Sequence, residues 1–261
     1  MPSFSPDRCL AGICVVFIDG ILIRGRAIIG AIGIGGDGVK HLLGVAEGAT
    51  ENETVVADLI VDLRERGLTA QDGLLFVLDG AKALRSAVRR VFGERALVHR
   101  CQVHKSRNVA DYLPPEEREF AIRKMEAAWR DEDAARGELT LKALARSIDK
   151  AHPGAGGSLR EGLHETLTIS RLGLAPHEAL WRTLRSTNPI EQAFSVCTTT
   201  HGNVKHWQSG DQALRWVAAG LSHASKGWRR IRGYRQMPLL IAALKRHVQS
   251  IDQEAADRVA A

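Results

Sequence analysis

The apolar positions along the chain follow two different periods. Residues 12–18 are β-branched and apolar and stop at Asp19-Gly20, while Leu74–Leu78, bounded by Gly73 and Gly80, is an unbroken apolar run that delivers Asp79 to a turn. Short uniform runs of this kind predict strands buried on both faces, as in a sheet covered by helices. Two strands that end in Asp-Gly can converge on one edge of such a sheet, at the carboxyl ends where open α/β sheets hold ligands. Arg26–Gly35 and residues 39–45 predict two further strands joined by a turn at Gly36-Asp37-Gly38, and Ala96–Arg100 predicts a fifth.

Elsewhere the period is helical. Thr50-x-x-Glu53 is a capping-box pattern, and Val55, Val56, Leu59, Ile60 and Leu63 form the buried stripe of the helix it opens, which stops at Gly67. Leu84, Val88 and Phe92 make a second stripe that ends at Gly93. The order is therefore three strands, helix, strand, helix, strand, an α/β arrangement. From Pro114-Pro115 the strand pattern disappears. Ile122, Met125 and Trp129, then Leu141, Leu144 and Ile148, mark two amphipathic helices; Pro153-Gly154-Ala155-Gly156-Gly157 reads as a loop, and Ser158-x-x-Glu161 as the cap of a third helix carrying Leu159, Leu163 and Leu167. Asn188-Pro189 opens another helix with Glu191 in its first turn. These changes divide the chain into a first α/β part (1–113), an all-helical insertion (114–183) and a helical remainder (184–261). Trp207 and Trp216, beside the stripe Leu214, Val217 and Leu221, are expected in the core.

Composition narrows the function classes. The chain has 261 residues, 44% hydrophobic and 25% charged, with a formal net charge of +6, which favours a polyanionic partner. No apolar run approaches the roughly 18 residues of a membrane span, and the start lacks a signal-peptide pattern, so a cytoplasmic location without membrane partners is expected. Four irregularly spaced cysteines (Cys9, Cys14, Cys101, Cys197) point to reduced thiols.

The charge is concentrated around the candidate chemistry. Between Lys82 and Arg107 lie eight Lys or Arg residues and one acid, Glu94, so Asp79 is a carboxylate among cations, as expected of a group holding a metal beside a polyanion. Asp-Gly is also an ordinary turn former, and Asn188-x-x-Glu191 is a ready capping box, so residue types alone leave both readings open. Cys101 and His104 lack a second ligand pair for zinc, which leaves packing beside the site or contact with the polyanion near Asp79; His99 reads as structural. Residues 226–235 interleave five cations with Trp228 and Tyr234, suiting phosphate contact and stacking, or a solvated basic face.

The strings FIDG, GATENETVVADL, LLFVLDGAKALR, HRCQVHKSRNV, LREGLHETL, STNPIEQAF, VKHW and ALRWVAAGL, in this order from about residue 13 to 245, resemble bacterial insertion-sequence transposases of the Mutator superfamily. The resemblance implies a ribonuclease-H-like mixed sheet flanked by helices and interrupted by an all-helical insertion. It implies a catalytic triad of Asp19, Asp79 and Glu191 holding Mg²⁺, with Mn²⁺ as a substitute, and Cys101 and His104 as the family's Cys-x-x-His element. The implied reaction is metal-dependent nicking and strand transfer at inverted-repeat ends, and the partners are double-stranded DNA and at least a second subunit, in a nucleoid-associated setting. Candidate DNA contacts are Lys82, Arg85, Cys101, His104, Lys105, Arg107, Asn188, Lys205, Trp228, Arg229, Arg230, Arg232 and Arg235. Relatives carry a DNA-binding region before the first strand and are arginine-rich after the glutamate. Here the chain begins about a dozen residues before that strand, and residues 195–202 hold no Arg or Lys, which implies a catalytic portion without its end-recognition module. Two alternatives are a transposition-incompetent remnant that only binds DNA or the intact enzyme, and a nuclease that only hydrolyses.

Overall fold

Five strands form one mixed sheet in a computed structural model that describes residues 10–23, 25–50, 52–200 and 210–260. β1 (Ile13–Ile23), β2 (Arg26–Gly35) and β3 (Lys40–Glu47) are an antiparallel meander; β4 (Leu74–Leu78) and β5 (Ala96–Arg100) add in parallel on the other side of β1, giving the order β3-β2-β1-β4-β5. Parallel neighbours need a crossover, and α2 (Lys82–Phe92) supplies the one between β4 and β5. The preceding helix, α1 (Glu53–Glu65), carries the chain from the β3 edge back to the middle of the sheet.

Because side chains alternate along a strand, the sheet has two different faces. Val16, Ile18, Leu74, Phe76 and Leu78 pack with Leu59, Ile60 and Leu63 of α1 and Leu84 and Val88 of α2. On the opposite face, Val15, Phe17, Leu75 and Val77 join a second cluster. Continuing the alternation by one step places Asp19 and Asp79 on that second face.

The second face is covered by the rest of the chain: α3 (Gln102–Ala110), α4 (Pro115–Trp129), α5 (Ala134–Asp149), α6 (Pro153–Arg160), the short α7 (Thr168–Arg171), α8 (Glu178–Leu184), α9 (Asn188–Thr200), α10 (Gly210–Ser225) and α11 (Met237–Ala260). Every described element from α4 to α8 is helical, and its apolar residues, including Met125, Trp129, Leu141, Leu159 and Trp181, belong to the same cluster as Val15 and Phe17. No described helix is long and apolar enough to cross a membrane.

Helix α9 is the element that seats the site. Ile190, Ala193, Phe194 and Cys197 recur at i, i+3, i+4 and i+7 and are all buried. Phe194 sits over Gly30, where a Cβ would come within 2.6 Å of its Cζ and 3.3 Å of Ile190 Cδ1. The glycine lets the helix lie directly on the sheet, and Gly30 is the residue paired with Asp19.

Several expectations are corrected. β1 does not stop at Asp19-Gly20; its antiparallel pairing with β2 carries it on to Ile23, and the turn falls at Gly25, whose φ of 78° is the left-handed region that glycine favours. Helix α1 is capped by Asn52, which accepts from the amides of Thr54 and Val55, and not by Thr50. The stretch read as a glycine loop is α6 itself, with Pro153 at its first position, so Ser158 caps nothing. Its glycines answer to packing: a Cβ on Gly156 would meet the Asp149 side chain and the Ala145 carbonyl, and one on Gly154 the ring of Tyr112. Trp216 is not core but 44% exposed on the outer side of α10, whereas Leu214, Val217 and Leu221 are buried as expected. Trp207 lies outside the described residues.

Candidate active site

Strand register brings the two aspartates together. The parallel pairing of β1 and β4 ends at Ile18 opposite Leu78, so Asp19 and Asp79 follow on adjacent strands at the same level. Asp19 is only 5% exposed; its Oδ1 accepts from the Gly20 amide at 2.8 Å, while Oδ2 is buried with no hydrogen-bond partner among the described residues. Burial pushes its carboxyl up to about 6, with the nearby Thr187 hydroxyl, which is directed to Glu191, and the His104 charge opposing and the Asp79 charge adding. Asp79 is half-buried, and both its oxygens are engaged: Oδ1 accepts from the Ala81 amide at 2.9 Å and Oδ2 from the Thr50 hydroxyl at 3.1 Å.

Glu191 enters from α9. Its Oε1 accepts from the Thr187 hydroxyl at 2.8 Å, and the Asn188 amide is 3.4 Å from Ser186 Oγ, so the side chain is not serving a capping box with Asn188. Asp19, His104 and Glu191 each offer a ligand atom within 4.8 Å of the others.

Beneath these groups lies the Cys101–His104 element. Cys101 is buried and caps α3, its Sγ accepting from the His104 amide at 3.4 Å. Burial raises the thiol, but hydrogen bonding and charge from His104 outweigh it and hold it below the ordinary range. His104 is correspondingly pushed up to about 9, first by its hydrogen bond with Cys101 and then by the charges of Cys101, Asp19 and Glu191. The buried Thr187 hydroxyl lies 3.4 Å from His104 Nδ1 and 3.6 Å from Cys101 Sγ, and so links this pair to Glu191. Cys101, His104, Thr187 and Glu191 therefore form one polar network beside an unpartnered carboxylate oxygen. Sequence reasoning missed Thr50 and Thr187: the first fits a capping box, and the second directly precedes Asn188-Pro189, a helix start that explains its surroundings without it.

A profile of the family described as "Transposase, Mutator family" matches residues 10–230. The chain belongs to the Mutator family of transposases. Among curated relatives, the transposase for insertion sequence element IS6120 of Mycolicibacterium smegmatis is 28% identical over 236 residues, covering 88% of this chain and 70% of its own length. The transposase for IST2 of Acidithiobacillus ferrooxidans is 28% identical over 214 residues, covering 82% and 70%. The probable transposase for an ISRM3-like element of Sinorhizobium fredii is 25% identical over 225 residues, covering 83% of this chain and 54% of the relative.

The cations of this Mutator-family chain fall into separate groups. Lys82, Arg107, Arg229, Arg230, Arg232 and Arg235 are exposed, as is Asn188; Lys205 lies outside the described residues. Arg85 is half-exposed and paired with Glu165 at 2.9 Å. A groove of about 680 Å³ runs between α8, α9 and residues 229–232, lined by Lys40, Asn188, Gln192, Arg229, Arg230 and Arg232. Residues around Tyr234 are fastened to the β2–β3 turn, where the Ile231 amide donates to the Gly38 carbonyl at 2.9 Å, and Arg230 and Arg235 flank the Tyr234 ring at 5.3 and 5.9 Å. Trp228 is half-buried against the core, an anchor for this segment.

Cys101 and Lys105, named among the candidate DNA contacts, are both wholly buried in this structure. Lys105 Nζ donates to the carbonyls of Ser158 and Glu161, each at 2.5 Å, closing the end of α6 beside the equally buried Arg100, which binds the Glu161 carbonyl and carboxylate. Burial, then repulsion from Arg100, lowers Lys105 to about 7. The native state thus gives up this proton before the unfolded chain does, so stability rises with pH between about 7 and 10. Lys105→Met is expected to flatten that rise in thermal melts and to leave DNA affinity and its salt dependence unchanged by fluorescence anisotropy. A reduced salt slope would return Lys105 to the DNA surface.

His99 is wholly buried, and burial lowers its pKa to about 3, so it is a neutral structural residue.

Proposed function

We propose that this chain is the catalytic core of an insertion-sequence transposase that nicks and joins DNA at inverted-repeat ends, with Asp19, Asp79 and Glu191 as the acidic triad. The observation that carries the reading is the buried, unpartnered Oδ2 of Asp19, set beside Asp79 on the next strand and within reach of Glu191 from α9. A carboxylate oxygen taken out of water without a partner is costly unless a cation joins it, and oxygen donors of this kind suit a hard divalent ion. The residues present therefore fit Mg²⁺ or Mn²⁺. When bound, such an ion stabilises the charge on the attacking and leaving oxygens of an in-line phosphoryl displacement.

The finer fold reading follows from the same elements. The order β3-β2-β1-β4-β5, with one acidic residue on β1, one directly after β4 and a third on a later helix, is read as ribonuclease-H-like, and α4 to α8 as the helical insertion between β5 and α9. Asp19 and Asp79 are fixed by strand register, whereas Glu191 depends on how α9 lies on Gly30. Thr187 and Thr50 hold the Glu191 and Asp79 carboxylates in place. The groove along Arg229, Arg230 and Arg232, which begins beside α9 at Asn188 and Gln192, would hold the phosphate backbone leading into the site. Two ends must be joined to one target, so the working form is read as a dimer or larger assembly on DNA.

The test is to incubate the purified chain with an end-containing duplex and a target in Mg²⁺, Mn²⁺ or chelator. Metal-dependent nicks and joined products are expected. Nicks without joining would make the protein a hydrolytic nuclease, and binding with no cleavage in any metal would make it a DNA-binding remnant. Replacing Arg229, Arg230 and Arg232 together by Ala is expected to reduce the slope of log affinity against log salt by up to about 3, near 0.9 for each phosphate no longer neutralised. An unchanged slope would move the DNA path off this groove.

A further inference from the structure

We propose that His104 is itself a ligand of the divalent cation, so that the ion nearest Asp19 is held by two carboxylates and one imidazole, and that this donor set favours Mn²⁺ over Mg²⁺. The inference rests on the metal-dependent reading above and adds a residue to it.

The geometry separates His104 from Asp79. Ligand atoms of Asp19, His104 and Glu191 lie within 4.8 Å of one another, and Asp79 is not part of that group. Donors at about 2.1 Å from a common ion sit at most roughly 4.2 Å apart, so a small side-chain closure completes the set. Asp79 has both oxygens occupied, by the Ala81 amide and the Thr50 hydroxyl, and would have to release one to contribute. His104 is hydrogen-bonded to Cys101 and its Nδ1 lies 3.4 Å from the Thr187 hydroxyl; to ligate, it gives up the proton that the charges of Cys101, Asp19 and Glu191 favour, and the cation takes that proton's place.

A second, independent observation points to a ligand at the same place. Asp19 is 5% exposed, and its Oδ2 finds no partner among the described residues. His104 and Glu191, the other members of the group, are half-buried, which leaves a way in for an ion.

The groups behind His104 are those expected of a ligating histidine. Its position is fixed at the start of α3, where the Cys101 thiol accepts from its backbone amide. The Thr187 hydroxyl reaches both Nδ1 of His104 and Oε1 of Glu191, the latter at 2.8 Å, and so orients two ligands at once. Such supporting hydrogen bonds are characteristic of metal-binding imidazoles.

The chemical consequence is selectivity. Mg²⁺ takes oxygen ligands almost exclusively, whereas imidazole suits later divalent ions, and affinity for a mixed nitrogen and oxygen site rises from Mg²⁺ to Mn²⁺.

The experiment titrates Mn²⁺ into the full chain, follows the free-ion signal by electron paramagnetic resonance, and examines the bound ion for nitrogen hyperfine modulation. The wild type is expected to bind Mn²⁺ with ¹⁴N modulation and at least tenfold more tightly than it binds competing Mg²⁺. His104→Gln should lose the modulation, weaken Mn²⁺ roughly 10- to 100-fold and erase most of the preference. Asp19→Asn should abolish binding and modulation together. Bound Mn²⁺ without nitrogen modulation in the wild type, or modulation that survives His104→Gln, overturns the role of His104 and leaves the carboxylate site standing. Absence of Mn²⁺ binding in the wild type, or binding indifferent to Asp19→Asn, overturns the metal-dependent reading itself. Should His104→Gln fail to fold by circular dichroism, His104→Asn is read in the same way.

Discussion

Asp19→Asn is expected to lower the proposed metal-dependent cleavage by roughly 10³-fold or more, the scale for removing a group that stabilises transition-state charge, in a protein that gains stability relative to wild type as pH rises. The two effects have one cause. Burial lifts the Asp19 carboxyl from its ordinary 3.8 to about 6. Between those values the native state holds a proton that the unfolded chain has released, so wild-type stability falls as pH climbs through that window. Above about pH 6 the penalty is complete, on the order of 3 kcal/mol. An amide carries no such penalty. Metal-free melts should therefore show the variant faring better against wild type at pH 8 than at pH 5, while added Mn²⁺ raises the midpoint of wild type alone. Wild-type cleavage rates in single-turnover assays, or a stability difference that is the same at both pH values, would defeat this account of the carboxylate.

Gly30→Val tests whether α9 must lie flat on the sheet. A Cβ there would stand 2.6 Å from Phe194 Cζ and 3.3 Å from Ile190 Cδ1, and valine adds two more carbons to the same space. Overpacking of this kind costs about 1–3 kcal/mol, which outweighs the strand preference of valine, worth at most about 1 kcal/mol. The clash is expected to be relieved by lifting α9, and Glu191, the residue after Ile190, to move with it. A displacement near 1 Å at a reacting centre costs on the order of 100-fold in rate. The milder Gly30→Ala should be partly rescued by Phe194→Leu, and that pair should show strong coupling in a double-mutant cycle, since the two positions touch. If Gly30→Val cleaves as the parent does, Glu191 does not depend on this seat.

Much of the sheet was legible because its strands are uniform. Leu74–Leu78 and Ala96–Arg100 are buried between helices and bounded by glycine or a turn, so composition alone marks their ends. Asp19 was misjudged as a strand terminus because Asp-Gly is a frequent turn pair. What keeps the strand going is β2, a partner long enough to bond it through Ile23, and no local signal reveals a partner's length. Thr50 fits the capping pattern as well as any residue, yet its hydroxyl goes to Asp79, 29 positions away, and Asn52 takes the helix end. The glycines of α6 misled for a similar reason. They weaken a helix in isolation, but here they allow close approach to α5 and to Tyr112, a benefit that exists only in the folded chain. Lys105 and Arg107 belong to one basic run; only the helix face decides that the first is sealed inside and the second is free.

Chain order has a consequence during synthesis. Asp19 and Asp79 lie on strands that can pair once the first hundred residues have emerged, but Glu191 follows 112 positions after Asp79. Until α9 leaves the ribosome, a nascent polypeptide has its aspartates and none of the helix that faces them. On the proposed reading such a chain is unable to cut the DNA nearby, and the bare apolar row of Val15, Phe17, Leu75 and Val77 leaves any product stopped early to be captured by chaperones or degraded.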